Sequence, residues 1–364
     1  MRMERHSDIR LVSINFNEHT GTGILEYGVR LLKALKAQKS SLRFYGVSFA
    51  SGNLAGTPNG LYKRVTTEKV ENPALSHYLD PGFVVKDALF STKFHKSKFI
   101  VTVHDLDFLI KNKGSLKLLN QYTRPFTLLR RPLALLGGPF IIVVRALSTK
   151  SILSTARRFV CVSEKSRDEM INKFHIPMKK CPIVYPIISN EFKPMSRTKH
   201  KKIIIGHISS YLPNKNVGAL IKAFKMTNSK DLELRLYGQV PPFKIGDDKR
   251  IKYKGFVATE KLPEIFNSFD VFVFPSTWEG FGVPVMEAKR CKIPVITYQK
   301  GDLTDIVKRN TLQFKDEEDL ARILENKGWK DVNIDKAYND TKKCSPDYVA
   351  KQMIKIYKDV LKEK

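Results

Sequence analysis

Short runs of β-branched and aromatic residues alternate with longer amphipathic segments along the chain. In the first half, the runs that predict strands are 11–16, 42–47, 99–103 and 158–162. In the second half, they are 202–206, 232–237, 251–253, 271–274 and 294–297. The segments between them place apolar residues at every third or fourth position, as in a helix with one buried face. This alternation is typical of α/β proteins with parallel sheets.

Three prolines between positions 182 and 194 interrupt the series, and the basic segment 197–202 follows them. Changes of composition of this kind mark domain joints. We therefore predict two doubly wound α/β domains, an N-terminal one over 1–190 and a C-terminal one over 191–345. The last segment, 346–364, has helical periodicity, and we expect it to pack back toward the N-terminal domain. Doubly wound sheets bind ligands at the carboxyl ends of their strands, so we expect a crevice facing the other domain.

The composition adds a strong positive charge to this picture. The chain has 364 residues, enough for two cores, and a formal net charge of +28. Between Phe108 and Ser163 there is no Asp or Glu, and Lys and Arg interleave with leucines. Two interpretations of the stretch 108–163 stay open: docking on an anionic membrane surface, or a soluble basic surface whose leucines lie in core helices. A nucleic-acid partner is not expected, because no recognition module is found.

The four cysteines are too few and too widely spaced for a disulfide framework, and they form no metal-binding pair. The N-terminus has no apolar signal-peptide core. The longest charge-free apolar run, 132–144, is shorter than the roughly 18 residues of a spanning helix. These observations predict a cytoplasmic protein, with peripheral attachment to the inner face of the cell membrane as the open alternative.

The most informative segment leads from the run 271–274 into a helix. Pro284 stands where a first helical turn begins, so free N–H groups and the positive helix end form an anion site. The loop before it contains Glu279, Gly280, Phe281, Gly282 and Val283, and its glycines let a ligand approach the backbone. A second carboxylate, Glu287, follows one turn into the helix. The purely structural alternative is that Glu279 caps the helix and Glu287 pairs with Arg290.

The same string resembles the signature of retaining glycosyltransferases of family 4: Pro-Ser, then Glu-Gly-Phe-Gly, then a second glutamate separated from the first by seven residues. The resemblance implies a GT-B fold, in which two Rossmann-like domains face each other across a cleft. It also implies that Glu279 contacts the donor sugar as a catalytic residue. Glu287 would bind the ribose, and Gly280, Phe281, Gly282 and Val283 would line the donor site.

A second segment, Gly206-His207-Ile208 with Pro213-Asn214-Lys215-Asn216, is similar to the family's strand, loop and helix start. The similarity implies that Lys215 holds the donor diphosphate. The family usually has Arg directly after the strand glycine, whereas this chain has His207. Three alternatives follow: His207 supplies the second positive charge, another basic residue does so, or phosphate binding is weaker.

In the first half, Gly21 and Gly23 look like the family's N-terminal glycine loop, which approaches the donor phosphate. His104 followed by Asp105 is similar to the family's His-Asp position, so His104 is expected to reach the donor sugar as a catalytic residue. The alternative is a structural histidine satisfied by Asp105. Ser163 and Glu164 fit both the family's strand end and a plain helix cap.

The resemblance thus implies a retaining, metal-independent hexosyltransferase. It would move a mannose- or glucose-type sugar from a UDP- or GDP-linked donor to a hydroxyl acceptor that is lipid-linked or a cell-surface glycan precursor. No cofactor is expected beyond the nucleotide-sugar co-substrate. The alternative is a nucleotide-sugar-binding GT-B protein of other chemistry, epimerase-like or catalytically silent.

Overall fold

The computed structural model describes residues 7–13, 22–48, 73–79, 98–104, 152–196, 201–241 and 245–363. The chain divides into two units, one made of 1–185 with 349–364 and the other of 186–348. The described residues of each unit form a parallel sheet, with five strands in the first and six in the second. The predicted α/β class is therefore confirmed.

In the first unit the strand order is β2-β1-β3-β4-β5. The strands are β1 (Ser7–Ser13), β2 (Leu42–Ser48), β3 (Leu75–Tyr78), β4 (Lys98–Val103) and β5 (Arg158–Cys161). The described helices that precede the second unit include α1 (Thr22–Lys36) and α2 (Glu164–Phe174). In β4, Ile100, Val101 and Val103 are fully buried, because a parallel sheet is covered on both faces.

In the second unit the strand order is β11-β10-β9-β6-β7-β8. The strands are β6 (Ile203–Ser209), β7 (Leu232–Gly238), β8 (Ile251–Gly255), β9 (Val271–Phe274), β10 (Val295–Tyr298) and β11 (Leu312–Phe314). The helices are α3 (Val217–Lys225), α4 (Leu262–Asn267), α5 (Val283–Arg290), α6 (Asp305–Lys308), α7 (Glu317–Glu325) and α8 (Ile334–Asp340).

The order of the second sheet reverses between β6 and β9. The chain adds β7 and β8 on one side of β6, then returns to place β9, β10 and β11 on the other side. Such a reversal is the topological switch point of a doubly wound sheet, outside whose strand ends ligands bind. The loops after β6 and β9 contain Lys215 and Glu279, so the topology brings two predicted site residues to the same place.

The centre of this sheet is packed with aromatic rings. Phe269 and Phe272 stack with their centroids 6.3 Å apart, and the ring of Phe266 meets Phe272 edge-on at 5.2 Å. A Cβ atom at Gly206 would lie 2.2 Å from the ring of Phe269. Position 206 in β6 therefore requires glycine, because any side chain would displace this buried ring.

The final helix, α9 (Pro346–Lys362), is anchored to the sheet of the first unit. The hydroxyl of Tyr357 lies 2.8 Å from Nδ1 of His77 in β3. The ammonium group of Lys98 donates to the carbonyl oxygens of Val360 and Leu361, which satisfies two of the last carbonyls of the helix. Within the described residues, no helix has the length and apolarity that a bilayer crossing requires.

Candidate active site

Two loops meet at the carboxyl ends of β6 and β9. The backbone N–H of Thr277 donates to the carbonyl oxygen of Asn214 at 2.8 Å, and Nδ2 of Asn214 donates to the carbonyl oxygen of Trp278 at 3.0 Å. These bonds hold the loop 210–216 against the loop 275–282. The position of one loop therefore fixes that of the other.

Lys215 and Glu279 form an ion pair across these two loops. Nζ of Lys215 donates to Oε1 of Glu279 at 2.7 Å, and the two side chains are only 18% and 13% exposed. Solvent screens such an enclosed pair much less than a surface pair. A cation and a carboxylate are thus held side by side where a phosphate and a sugar hydroxyl could be bound together.

Helix α5 begins directly after this loop. Gly282 precedes it with a φ of 107°, in the left-handed region, and no side chain caps the helix N-terminus. A Cβ atom at Gly282 would lie 2.9 Å from Val307, so both backbone conformation and space require glycine. An uncapped helix N-terminus presents unsatisfied N–H groups and partial positive charge, which favour an anion.

The other residues predicted in this loop lie around the helix start. Gly280 and Val283 are half-buried, whereas Phe281 is buried at 5% exposure. Glu287, in the second turn of α5, is also buried.

The structural alternative for Glu287 relied on Arg290 as its ion-pair partner. One guanidinium nitrogen of Arg290 donates to Oδ1 of Asn190 at 2.7 Å, and another lies 3.5 Å from Oγ1 of Thr341. The hydrogen-bond partners of Arg290 among the described residues are thus Asn190 and Thr341, both outside α5.

A third segment, which the sequence did not indicate, is hydrogen-bonded to the loop that contains Glu279. The N–H of Asp302 donates to the carbonyl of Thr277 at 2.9 Å, and the N–H of Glu279 donates to the carbonyl of Asp302 at 3.3 Å. A few residues later, Val307 in α6 packs against Gly282. The segment 302–307 therefore follows the loop along most of its length.

Lys289, which is completely buried, fixes this third segment in place. Its Nζ donates to the carbonyl oxygens of Ile306 at 3.1 Å and Arg309 at 2.7 Å, and lies 3.5 Å from the carboxylate of Asp340. Burial lowers the pKa of Lys289 to about 8, although Asp340 acts in the opposite direction. The signal in the sequence was a lysine four residues after Val285, on the buried face of α5.

His207, one of the three alternatives for the second positive charge, lies within β6 and not in the loop that follows it. Its ring is fully buried in β6, with Nδ1 2.9 Å from the carbonyl oxygen of Val273 and Nε2 2.8 Å from the hydroxyl of Ser209. A carbonyl oxygen can only accept, so Nδ1 donates to Val273, and the second ring nitrogen shares a hydrogen bond with the Ser209 hydroxyl. Burial lowers the pKa of His207 to about 4, so the charged form is absent at neutral pH.

His104 lies in the first unit, one residue after β4. Its Nε2 donates to the carbonyl oxygen of Leu79 at 3.0 Å, and its ring meets Tyr27 edge-on with centroids 4.7 Å apart. Burial lowers the pKa of His104 to about 4, although the bond to Leu79 works against this shift. The ring is therefore neutral at pH 7, with Nδ1 unprotonated. Asp105, its alternative partner, lies outside the described residues.

A buried network of hydrogen-bonded side chains, which the sequence did not indicate, lies near His104. His77 is completely buried, with Nδ1 2.8 Å from the hydroxyl of Tyr357 and Nε2 2.7 Å from Oγ1 of Thr102. Burial, with a smaller contribution from the nearby His104, lowers the pKa of His77 to about 3. Thr102 belongs to β4, and His104 directly follows that strand. The network therefore connects the end of β4 to α9.

The remaining predictions for the first half are only partly covered by the structure. Gly21 lies outside the described residues, and Gly23 is the second residue of α1. Of the basic stretch 108–163, only residues 152–163 are described. Ser163 caps α2: its hydroxyl accepts from the N–H of Ser166 at 3.1 Å in a reciprocal capping box, which favours the structural interpretation of this residue.

Comparisons with known proteins agree with this geometry. Residues 189–327 match the family described as "Glycosyl transferases group 1". O-antigen chain mannosyltransferase B of Escherichia coli is 25% identical over 240 residues, which are 57% of this chain and 61% of that protein. The GPI3 subunit of phosphatidylinositol N-acetylglucosaminyltransferase from Saccharomyces cerevisiae is 24% identical over 235 residues, 57% of this chain and 52% of that protein.

The likeness to solved structures extends over the whole chain. The structure of HepE from Anabaena in complex with UDP-glucose superimposes with a TM-score of 0.70 at 15% identity, covering 97% of this chain and 100% of HepE. The two parallel sheets and this neighbour define the protein as one of the GT-B fold, as predicted. The match of residues 189–327 to the glycosyl transferases group 1 family agrees with the family that the sequence motifs resemble.

Proposed function

We propose that the protein is a retaining glycosyltransferase that moves a hexosyl group from a nucleoside-diphosphate sugar to a hydroxyl group. The observation that carries the proposal is the Lys215–Glu279 ion pair at the β6/β9 switch point. It lies on the loop that enters the uncapped N-terminus of α5. Positive charge for a diphosphate and a carboxylate for sugar hydroxyls are thus provided within one pair of loops.

Each predicted site residue that the next sentences name then has a role in binding the donor. Lys215 and the N-terminus of α5 bind the diphosphate and offset the negative charge that grows on it as the glycosidic bond breaks. Glu279 accepts hydrogen bonds from the donor sugar, and Glu287 accepts them from the ribose. Because these charges belong to the protein itself, we propose that no metal ion is required.

In the proposed reaction, the bond between the anomeric carbon and the diphosphate oxygen breaks while the acceptor oxygen attacks from the same face. The acceptor proton passes to the departing diphosphate, so the configuration at the anomeric carbon is retained. The transition state resembles an oxocarbenium ion. The neutral imidazole of His104 is suited to hydrogen bonding with sugar hydroxyls, whereas a charged imidazolium would oppose the growing positive charge on the sugar.

The names of the relatives favour a nucleotide-activated hexose as donor. The E. coli relative is named as a mannosyltransferase, the yeast relative as an N-acetylglucosaminyltransferase, and HepE holds UDP-glucose in its crystal structure. We propose a UDP- or GDP-linked donor of the mannose or glucose type. Epimerase-like chemistry or a catalytically silent binder would show donor binding without transfer.

The acceptor is proposed to be lipid-linked or a precursor of a cell-surface glycan. The name of the yeast relative includes a phosphatidylinositol lipid, and the basic stretch 108–163 of this chain suits docking on anionic lipid. We propose that the enzyme works in the cytoplasm, at the inner face of the cell membrane.

A donor screen tests the proposal. Purified protein is heated with UDP-glucose, GDP-mannose or an ADP-sugar, because a donor that binds only the folded state raises the melting temperature. The stabilising donor is then incubated with a membrane extract, and the anomeric configuration of the product is determined. We expect stabilisation by one donor class and a retained configuration. Failure of every donor to bind, or an inverted product, would refute the proposal.

A further inference from the structure

The outer face of α9 carries a row of four exposed lysines, Lys351, Lys355, Lys358 and Lys362. Their spacing of four, three and four residues places them within an arc of about 60°, since each residue turns an α-helix by about 100°. The buried residues of the helix lie on the opposite face: Val349, Ala350, Met353, Tyr357 and Val360. The positive charge of α9 is thus concentrated on one side. We call this row the lysine stripe.

The lysines of the stripe are not paired with carboxylates among the described residues. None of its four ammonium groups forms an ion pair there, whereas exposed lysines elsewhere do, such as Lys173 with Glu169 at 2.9 Å and Lys292 with Asp335 at 2.7 Å. The exposed carboxylates of Asp347 and Asp359 belong to the same helix and lie about 20° and 40° outside the arc of the stripe. Four lysines against two carboxylates leave this side of the helix with a net positive charge.

The stripe is also held rigidly. Tyr357 is bonded to His77 on the buried face, and Lys98 binds the carbonyls at the end of the helix. Arg158 of β5 forms an ion pair with Glu363, directly after the last stripe residue. With a rise of about 1.5 Å per residue, the four lysines form a straight row roughly 16 Å long.

We propose that the lysine stripe docks this protein on the anionic surface of a lipid bilayer. A straight row of flexible, point-like ammonium groups fits a plane of negative headgroups, which makes no directional demand. Nucleic acid is a poorer fit, because the stripe contains no arginine, and Tyr357, the aromatic residue between its lysines in the sequence, is buried and cannot stack on bases. The stripe belongs to a different part of the chain from the stretch 108–163, and the proposal is independent of the proposed transferase activity.

Co-sedimentation of the full chain with lipid vesicles tests this docking, without donor or acceptor. We expect binding to vesicles of phosphatidylcholine mixed with phosphatidylglycerol, and far weaker binding to phosphatidylcholine alone. Each lysine near such a surface contributes about fivefold to binding, equivalent to about 1 kcal/mol. The variant K351Q/K355Q/K358Q/K362Q is therefore expected to bind at least about tenfold more weakly. Its melting temperature should match that of the wild type, because all four side chains are exposed.

The matched control removes the same charge from exposed lysines of the second unit, in the variant K225Q/K230Q/K330Q/K336Q. We expect this variant to keep vesicle binding within about threefold of the wild type. Equal losses in both variants would show a general charge effect, and no loss in the stripe variant would show that α9 takes no part. Either result overturns the proposal. So does a stripe variant that keeps vesicle binding but loses binding to duplex DNA, which would assign the stripe to nucleic acid.

Discussion

The ammonium group of Lys215 donates a hydrogen bond of 2.7 Å to the carboxylate of Glu279, and so joins the loops that follow two neighbouring strands. In the proposed mechanism, each partner also has a ligand group to bind: the diphosphate for Lys215 and the sugar for Glu279. Donor binding must therefore share or replace this bond. The pair is both a structural link and the centre of the proposed site.

Removing either partner should reduce transfer strongly. We expect K215M to lower kcat/KM by about 10²–10³-fold, because positive charge at the leaving diphosphate is lost. E279Q should reduce kcat by a similar factor while leaving UDP binding nearly unchanged. Initial rates and titration calorimetry with UDP measure both effects. The matched control is K222M, since Lys222 is exposed in the following helix and should leave both constants unaltered.

Gly282 should not tolerate a side chain. G282A combines a φ of 107° with a Cβ atom 2.9 Å from Val307, so we expect a loss of about 1–3 kcal/mol in the free energy of unfolding and weaker donor binding. Chemical denaturation and donor titration are the measurements. G218A is the control: nothing lies within 4 Å of an added Cβ in α3, so this change should be neutral or stabilising. Equal stability of the two variants would contradict the strain at 282.

Lys289 should make the stability of the protein depend on alkaline pH. Its pKa is lowered from 10.5 to about 8 in the folded state, so between these values the unfolded chain binds more protons. The contribution of this group to the free energy of unfolding therefore rises with pH across that window, by about 3 kcal/mol in total. K289M removes the effect. Unfolding of both proteins should be measured from pH 7.5 to 10.5, and a constant difference between them would contradict the shift.

His104 should act as a neutral group. Because burial lowers its pKa to about 4, the ring is uncharged above about pH 5 and protonates only below that. We expect the wild type to show no histidine titration in kcat/KM between pH 5.5 and 8. H104A should lower kcat/KM by about 10–100-fold and leave UDP affinity unchanged, because His104 is proposed to contact only the sugar. A rate that follows a group with a pKa near 6.5 and disappears in H104A would argue against this role.

The sequence was sufficient to predict the α/β class, because several strands are runs of apolar residues. β9, for instance, is Val-Phe-Val-Phe and is completely buried. By contrast, β3 is Leu-Ser-His-Tyr, and its polar residues Ser76 and His77 are also completely buried. His77 is accommodated by Tyr357, which is 280 positions away in the chain. No local pattern indicates such a partner, so this strand was missed.

The same limit applies to the candidate site. Local spacing identified Glu279 and Lys215, because each follows a predicted strand. It did not reveal that His207 is enclosed and neutral, which depends on Val273 of the neighbouring strand β9. Nor did it reveal Lys289, whose partners Ile306, Arg309 and Asp340 are 17 to 51 positions away. Both side chains can carry a positive charge, and only their tertiary contacts show that burial lowers the pKa of each.

The most direct test of the proposed site is a crystal structure of the full chain with the uncleaved donor that stabilises it. The account predicts the diphosphate between Lys215 and the first turn of α5, the sugar at Glu279 and the ribose at Glu287. A donor bound elsewhere, or carboxylates of Glu279 and Glu287 directed to opposite sides of their unit, would contradict it.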